Sequence, residues 1–300
     1  MVKKGYRHMA IFEGSGVALA TPFRNGDVDL EALRSLLEWQ VEEGTDAIIS
    51  CGTTGEASTL TDDEQIAVIK FTVDVIGGRI PVIAGVGSNY TAHGVELTKR
   101  AEDAGANALL HVTPYYNKTS RNGLIEHFRA VAEATSLPIL LYSVAGRTGM
   151  NITPPVCEEL AGIKNIVGIK EASGDISQVV EIARRAPEGF DLYSGNDDMI
   201  VPLLSVGGKG VISVLANVAP RDTHLMVRKF LDGDVKGACA IQLRAKPLID
   251  ALFCEVNPIP VKAALYMMGK CEYEYRMPLC RLEDANFARV EKEMRAYGLI

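Results

Sequence analysis

Short apolar runs rich in β-branched residues recur along the chain, and each is followed by a loop and then by a helical pattern of apolar positions. Such runs predict strands buried on both faces, and their alternation with amphipathic helices predicts a parallel sheet covered by helices. One strand-loop-helix unit needs about 30 residues, which is close to the spacing seen here. The eight predicted strands cover residues 16–20, 47–51, 81–86, 108–112, 138–142, 166–170, 191–195 and 210–214.

The helical patterns carry start and stop signals of their own. Asp29 precedes a stripe of leucines that Gly44 ends, and Thr61 with Glu64 has the spacing of a capping box. Eight consecutive units predict a closed TIM (β/α)8 barrel. An open doubly wound sheet is the alternative, but it needs a glycine-rich phosphate-binding turn where this chain reads Thr21-Pro22.

Only helical patterns follow the eighth strand. Residues 220–298 carry four of them, which are broken at Gly233, at Asn257-Pro258 and around residues 276–278. We therefore expect a barrel domain over residues 10–219 and a C-terminal helical extension over residues 220–300.

Composition narrows the function classes. The 300 residues include 31 Lys+Arg against 38 Asp+Glu, and this acidic balance argues against nucleic-acid and membrane partners. No apolar run approaches the ~18 residues of a membrane span. Residues 1–9 are basic without a following apolar run, so we expect a flexible leader and no secretory signal. Six cysteines without a C-x-x-C pair, and no H-E-x-x-H, predict reduced thiols in a cytoplasmic protein without a structural zinc.

The carboxyl ends of the strands are where a barrel of this kind places its chemistry. Lys170 ends the sixth predicted strand, and a solvated lysine seldom ends a strand that is buried on both faces. A surface lysine, or an ion pair with Glu171, is the alternative interpretation. Loss of water in the barrel mouth favours the neutral amine, so Lys170 is a candidate Schiff-base nucleophile.

Hydroxyl and guanidinium groups follow neighbouring strands. Tyr116 and Tyr142 stand where phenols can move protons, although core aromatics are the alternative. Thr53 and Thr54 lie between two glycines, in a loop that is either a plain turn or a holder for a small carboxylate or phosphate. Arg147 either binds a second carboxylate or is solvated. No acidic cluster has metal-ligand spacing, so the sequence favours amine-based carbonyl chemistry on small anions without metal or cofactor.

The same residues stand in an ordered set of motifs. The motifs are Gly52-Thr53-Thr54-Gly55-Glu56, Thr113-Pro114-Tyr115-Tyr116-Asn117-Lys118, Gly146-Arg147-Thr148-Gly149, Gly168-Ile169-Lys170-Glu171-Ala172-Ser173-Gly174, Ser194-Gly195-Asn196-Asp197-Asp198 and Asn257-Pro258-Ile259-Pro260-Val261-Lys262. Over about residues 11–298 this set resembles the dihydrodipicolinate synthase family, within the superfamily of pyruvate-dependent class I aldolases and N-acetylneuraminate lyases.

The resemblance implies a lyase that condenses pyruvate with L-aspartate 4-semialdehyde, in the pathway to diaminopimelate and lysine. It implies that pyruvate forms an imine with Lys170, and that Tyr116 reaches the site of a neighbouring subunit. The implied catalytic residues are Lys170, Tyr142, Thr53 and Tyr116, and the implied substrate-binding residues are Thr54, Arg147, Ile212 and Gly195. No cofactor or metal is implied, and the implied assembly is a homotetramer or a homodimer.

Some positions depart from the family pattern. Ser143 and Ala145 replace the usual asparagine and proline after the fifth strand. Asp62, Gln65 and His93 stand where members inhibited by lysine have two histidines and a glutamate, which implies that lysine does not inhibit this chain. The alternatives are an N-acetylneuraminate lyase, an aldolase of 2-keto-3-deoxy sugar acids, and a non-catalytic pyruvate-binding relative.

Overall fold

Eight parallel strands close into a barrel in the computed structural model, which describes residues 10–300. Each strand pairs with the next in sequence, and the eighth pairs with the first. The predicted TIM (β/α)8 barrel is therefore confirmed, while the predicted leader, residues 1–9, lies outside the described residues. The barrel strands are β1 Gly14–Ala18, β2 Ala47–Ser50, β3 Val82–Gly85, β4 Ala108–Val112, β5 Ile139–Ser143, β6 Ile166–Glu171, β7 Asp191–Ser194 and β8 Gly210–Ser213.

Helices alternate with the strands and begin at the expected capping residues. The Asp29 carboxylate accepts the N–H of Ala32 at 3.0 Å, and Thr61 with Glu64 forms the predicted capping box. The helices are α1 Leu30–Glu42, α2 Asp62–Ile76, α3 Thr91–Asp103, α4 Arg121–Glu133, α5 Ala145–Thr148, α6 Pro154–Leu160, α7 Ile176–Arg185, α8 Ile200–Leu204, α9 Pro220–Leu231, α10 Val235–Leu252, α11 Ile259–Met267 and α12 Asp284–Tyr297. Three 3₁₀ turns add Ala57–Thr59, Asp197–Met199 and Leu215–Asn217.

The core has two parts, one outside the barrel wall and one inside it. The larger cluster fills the space between strands and helices, and the smaller cluster fills the barrel interior. Phe12 and Tyr193 stack inside the barrel with ring centroids 4.4 Å apart, and the Tyr193 hydroxyl donates to the Phe12 carbonyl at 2.7 Å. Because Phe12 precedes β1, these rings fill the amino end of the barrel and leave the carboxyl end as the mouth.

Four helices follow β8, and the chain breaks between them at the predicted positions. Gly233 separates α9 from α10, Asn257-Pro258 precedes α11, and residues 276–278 lie between α11 and α12. Helix α9 contacts both the barrel strand β1 and the extension helix α10. The division of the chain at residue 220 therefore stays a prediction.

The first strand differs from its predicted bounds. It covers Gly14–Ala18 and not residues 16–20, because the Asn217 side chain accepts the N–H of Ala20 at 3.0 Å and so replaces the ladder there. A hairpin that the sequence analysis does not predict joins Phe23–Arg24 to Asp27–Val28. Within residues 10–300, no helix has the length and apolar character that crossing a membrane requires.

Candidate active site

Lys170 and Tyr142 lie beside each other on the neighbouring strands β6 and β5, where they are paired in register. Lys170 is 6% exposed, and its Nζ lies 4.3 Å from the centroid of the Tyr142 ring. Successive side chains of a strand point to opposite faces, so Glu171 faces the surrounding helices. There its carboxylate accepts from Gln178 Nε2 at 2.9 Å, and burial raises the pKa of Glu171. The alternative ion pair between Lys170 and Glu171 is therefore wrong.

Two lysines are buried near this end of the barrel, and their surroundings differ. Lys262 on α11 lies 2.5 Å from the Glu56 carboxylate, and both of these side chains are fully buried. Within residues 10–300, no carboxylate oxygen lies within 4.0 Å of the Lys170 amine. The Lys262 amine is therefore engaged by a carboxylate, whereas the Lys170 amine is not held in an ion pair and lies against the Tyr142 ring. The structure thus distinguishes a structural lysine from a candidate nucleophile.

Gly195 directly follows β7 and Ile212 lies on β8, the two strands that come after the strand of Lys170 around the barrel. Ile212 is fully buried on β8 and belongs to the apolar interior of the barrel. A β-carbon at Gly195 would stand 3.1 Å from Lys170 Cε and 2.6 Å from Ala172 Cβ. A larger residue would press on the lysine side chain, so Gly195 keeps the space beside the amine open. Gly195 therefore lies beside the Lys170 side chain, and Ile212 contributes to the apolar lining of the barrel interior.

The loop after β2 holds Thr53 and Thr54 between two residues in left-handed backbone conformations. Cys51 has a φ of 55° and Glu56 a φ of 54°, which is uncommon for residues other than glycine. The Thr21 hydroxyl donates to the Gly55 carbonyl at 2.7 Å. Thr54 is buried and Thr53 is half-buried. The strained turn is therefore held near Gly55 by Thr21, and it carries two adjacent hydroxyl groups.

Arg147 lies on the short helix α5, which begins two residues after β5 ends. Its guanidinium is exposed and donates to the backbone carbonyl of Asn257 at 2.9 Å. Ser143, which replaces the usual asparagine of the family, accepts the N–H of Ile152 and donates to Asn151, both at 3.1 Å. The shorter side chain thus keeps polar contacts at the end of β5. No contact in the structure explains Ala145.

Tyr116 lies apart from the other predicted catalytic residues. Its side chain is 93% exposed, and its backbone adopts a φ of 71°. A large aromatic side chain held outward by a strained backbone is suited to contact with another molecule. The structure therefore does not bring Tyr116 to Tyr142 within one chain, and its predicted place in a neighbouring subunit stays a prediction.

Two polar residues of the site receive no role from the sequence analysis. Asp197 is buried and accepts the N–H groups of Val214 and Leu215 at 3.0 and 2.8 Å. Burial raises the pKa of Asp197, and the nearby positive charge of Lys170 acts in the opposite direction. Asn257 contacts both Thr54 and Arg147. Both residues stand inside the motifs quoted above, so the motifs locate them without indicating what they contact.

The site offers one amine, several hydroxyls and donors for negatively charged groups. No three side chains of His, Cys, Asp or Glu cluster to hold a metal ion in the part of the chain that the structure describes. An amine beside a phenol can form an imine with a carbonyl compound, because the phenol can supply and remove protons. The adjacent hydroxyls and Arg147 suit ligands that carry carboxylates.

Solved structures with closely similar backbones belong to dihydrodipicolinate synthases. The enzyme from Aquifex aeolicus superposes with a TM-score of 0.95 at 44% identity, covering 96% of this chain and 99% of that chain. The enzyme from Acinetobacter baumannii, solved in complex with pyruvate, superposes with a TM-score of 0.94 at 42% identity and covers 96% and 99%.

Curated relatives agree with the structural comparison. The 4-hydroxy-tetrahydrodipicolinate synthase of Caldicellulosiruptor bescii is 54% identical over 292 residues, which is 97% of this chain and 99% of the relative. That of Acetivibrio thermocellus is 54% identical over 290 residues, again 97% of this chain and 99% of the relative. The model of the dihydrodipicolinate synthetase family matches residues 11–297. The chain belongs to the dihydrodipicolinate synthetase family, as its motifs predict.

Proposed function

We propose that this chain condenses pyruvate with L-aspartate 4-semialdehyde through an imine on Lys170. The enzyme class, a lyase of the class I aldolase type, follows from the family. The observation that carries the residue assignment is the buried Lys170 amine, which lies against the Tyr142 ring with no carboxylate oxygen of the described chain within 4.0 Å.

The first step joins the Lys170 amine to the ketone carbon of pyruvate. The lone pair of the amine forms the C–N bond, the ketone oxygen leaves as water, and the product is an imine. Thr53 and Thr54 hold the pyruvate carboxylate through their hydroxyls and the N–H groups of their loop. Gly195 and Ile212 form the walls that leave room for the ligand.

The second step makes the carbon–carbon bond. Loss of a proton from the methyl group of the imine gives an enamine, whose carbon attacks the aldehyde of the semialdehyde. The amino group of the semialdehyde then attacks the imine carbon, closes the ring and releases Lys170. Tyr142, Thr53 and Tyr116 carry the protons of these steps, and Arg147 receives the carboxylate of the semialdehyde.

The relay requires a second copy of the chain. Tyr116 is 93% exposed, so we assign it to the relay of a neighbouring subunit and not to that of its own barrel. We propose a homotetramer, with a homodimer as the smaller assembly that would still supply Tyr116.

The six cysteines, all in the described part of the chain, form no disulfide, which supports a cytoplasmic setting.

Trapping with borohydride tests the imine. Wild-type protein incubated with pyruvate and borohydride is expected to gain the mass of one reduced pyruvate adduct per chain, located on Lys170 by peptide mapping. Lys170→Ala is expected to gain none. Lys262→Ala is not a suitable control because it breaks a buried ion pair, whereas Lys246→Ala removes an exposed lysine and should label fully. A wild type without an adduct would refute the imine mechanism.

Turnover separates the synthase from its nearest alternatives. Wild-type protein is expected to consume aspartate 4-semialdehyde only in the presence of pyruvate, and to leave N-acetylneuraminate and 2-keto-3-deoxy sugar acids intact. Arg147 favours the synthase, because it offers a guanidinium for the carboxylate of the semialdehyde at the exposed edge of the mouth. Cleavage of a sugar acid without condensation would select the lyase. An adduct without turnover of any of these compounds would select a pyruvate-binding relative.

A further inference from the structure

Asn257 stands between the two groups that are proposed to bind carboxylates. It lies in the segment between α10 and α11 and is 5% exposed. Its side-chain Nδ2 donates to Thr54 Oγ1 at 2.9 Å, and its backbone carbonyl accepts from Arg147 at 2.9 Å. One residue of the C-terminal extension therefore contacts both anion-binding groups of the barrel mouth.

The contact with Thr54 determines what that hydroxyl can offer to a ligand. A threonine hydroxyl has one proton to donate and lone pairs to accept with. When Asn257 Nδ2 donates to the oxygen, the proton of Thr54 is left for another acceptor, such as a ligand carboxylate. The side-chain oxygen of Asn257, Oδ1, has no partner among residues 10–300. An unsatisfied carbonyl oxygen is tolerated more readily than an unsatisfied amide N–H. The orientation with Nδ2 toward Thr54 is therefore favoured.

A buried ion pair holds the two segments at this separation. Lys262 follows Asn257 by five residues, Glu56 follows Thr54 by two, and the Lys262–Glu56 pair is fully buried. The ion pair thus joins the same two segments as the Asn257–Thr54 hydrogen bond. Because the ion pair already joins these segments, the Asn257–Thr54 hydrogen bond is not needed to hold them together and can orient the Thr54 hydroxyl.

We propose that Asn257 is a positioning residue, which directs the Thr54 proton toward the pyruvate carboxylate through its side chain and holds the Arg147 guanidinium through its backbone carbonyl. The proposal rests on the proposed function, since it assigns pyruvate to Thr54 and the semialdehyde to Arg147. The two effects come from different atoms of Asn257, the side-chain Nδ2 for Thr54 and the backbone carbonyl oxygen for Arg147. Loss of the side chain affects pyruvate alone, because a replacement such as alanine keeps the same backbone carbonyl.

Steady-state kinetics of Asn257→Ala tests the separation. The KM for pyruvate is expected to rise about three- to tenfold, the range of one net hydrogen bond. The KM for the semialdehyde is expected to change by less than about twofold, which is below the smallest effect of one net hydrogen bond. In a Thr54→Val background the same substitution should leave the pyruvate KM unchanged, because residues that act through each other are not additive. An equal rise in both backgrounds, or in both KM values, would overturn the proposal.

Asn257→Asp tests the direction of the hydrogen bond with a side chain of the same shape. A carboxylate accepts the Thr54 proton that the amide leaves free, so the pyruvate KM should rise further than in Asn257→Ala. A wild-type pyruvate KM in Asn257→Asp would show that the amide already accepts from Thr54, and the proposal would be wrong.

Asn286→Ala is the matched control in the extension. Asn286 lies in the first turn of α12 and donates to Glu255 Oε1 at 2.8 Å in the segment between α10 and α11, so its loss tests whether any lost asparagine hydrogen bond in the extension alters KM. We expect wild-type constants, and a pyruvate KM raised as in Asn257→Ala would contradict the proposal. A wild type that neither traps nor consumes pyruvate would instead refute the proposed function, which keeps the two failures distinct.

Discussion

Replacement of Lys262 by methionine is expected to leave a buried carboxylate without its partner. The Lys262 amine lies 2.5 Å from Glu56 Oε1, and both side chains are 0% exposed. A further donor, the backbone N–H of Arg276, is 3.5 Å from Glu56 Oε2. Methionine keeps most of the length of the side chain beside the Phe23 ring, so the variant removes the charge with little change in packing.

The magnitude follows from the burial of both charges. Removal of one partner from a buried ion pair costs about 3–5 kcal/mol, because the remaining charge stays out of water. The double variant Glu56→Gln with Lys262→Met removes both charges, and neutral replacements of buried pairs are often neutral in stability. We therefore expect the second substitution to restore at least half, roughly 2 kcal/mol, of the free energy of unfolding lost in the first.

Urea unfolding followed by circular dichroism measures the effect at a fixed protein concentration. The control is Lys246→Met, because Lys246 and Asp250 form an ion pair at 2.6 Å whose side chains are about half exposed. An exposed pair of this kind contributes under about 1 kcal/mol. If Lys262→Met is no less stable than Lys246→Met, or if the double variant is less stable than Lys262→Met, the electrostatic argument is wrong.

Three further predictions concern pH, the closure of the barrel and inhibition. Burial lowers the pKa of His111 to about 3, whereas its pKa in the unfolded chain is about 6.5. Below about pH 6.5 the unfolded chain therefore binds a proton that the folded chain does not, and the free energy of unfolding decreases as the pH falls. His111→Gln should therefore flatten the decline of urea midpoints between about pH 6 and about pH 4, and an unchanged slope would contradict this. Gly210→Ala places a β-carbon 1.9 Å from the Gly14 carbonyl oxygen. We therefore expect the free energy of unfolding, measured in urea, to fall by about 1–3 kcal/mol. An unchanged value would show that β1 and β8 adjust, and would contradict this expectation. Asp62 and His93 stand at positions where lysine-inhibited members carry other residues, and His93 here lies 3.0 Å from the Asp62 carboxylate. Added lysine should therefore leave initial rates unchanged, and a saturable decrease would refute this.

The parts of the fold that depend on local pattern are predictable from the sequence. Thr61 and Glu64 cap each other within one turn, and Gly233 ends a helix through its own backbone freedom, so both signals are complete within a few residues. The hairpin around Asn25-Gly26 carries the turn signal that favours such a structure. The apolar pattern does not reveal this hairpin, because its two strands have only two residues each, too few to show alternation.

The contacts that complete the site are not predictable in this way. Lys170 follows from its place at the end of an apolar strand, and its neighbour Tyr142 follows from the order of the strands. The partners of Thr54 and Glu56 lie 203 and 206 residues away in the sequence, and no periodicity indicates them. They meet only because the barrel closes and the extension returns to its mouth.

The extension also determines which positive charges remain available to an anion. Lys262 and Arg276 both come from the extension, and each forms an ion pair with a glutamate of the segment that follows the threonine loop, Glu56 and Glu64. Among the described residues, Lys170 and Arg147 have no such carboxylate partner, although the chain as a whole carries a net charge of −7. Lys262 and Arg276 are thus neutralised within the chain, whereas Lys170 and Arg147 are not held in ion pairs. Ligands that carry carboxylates are what such an arrangement attracts.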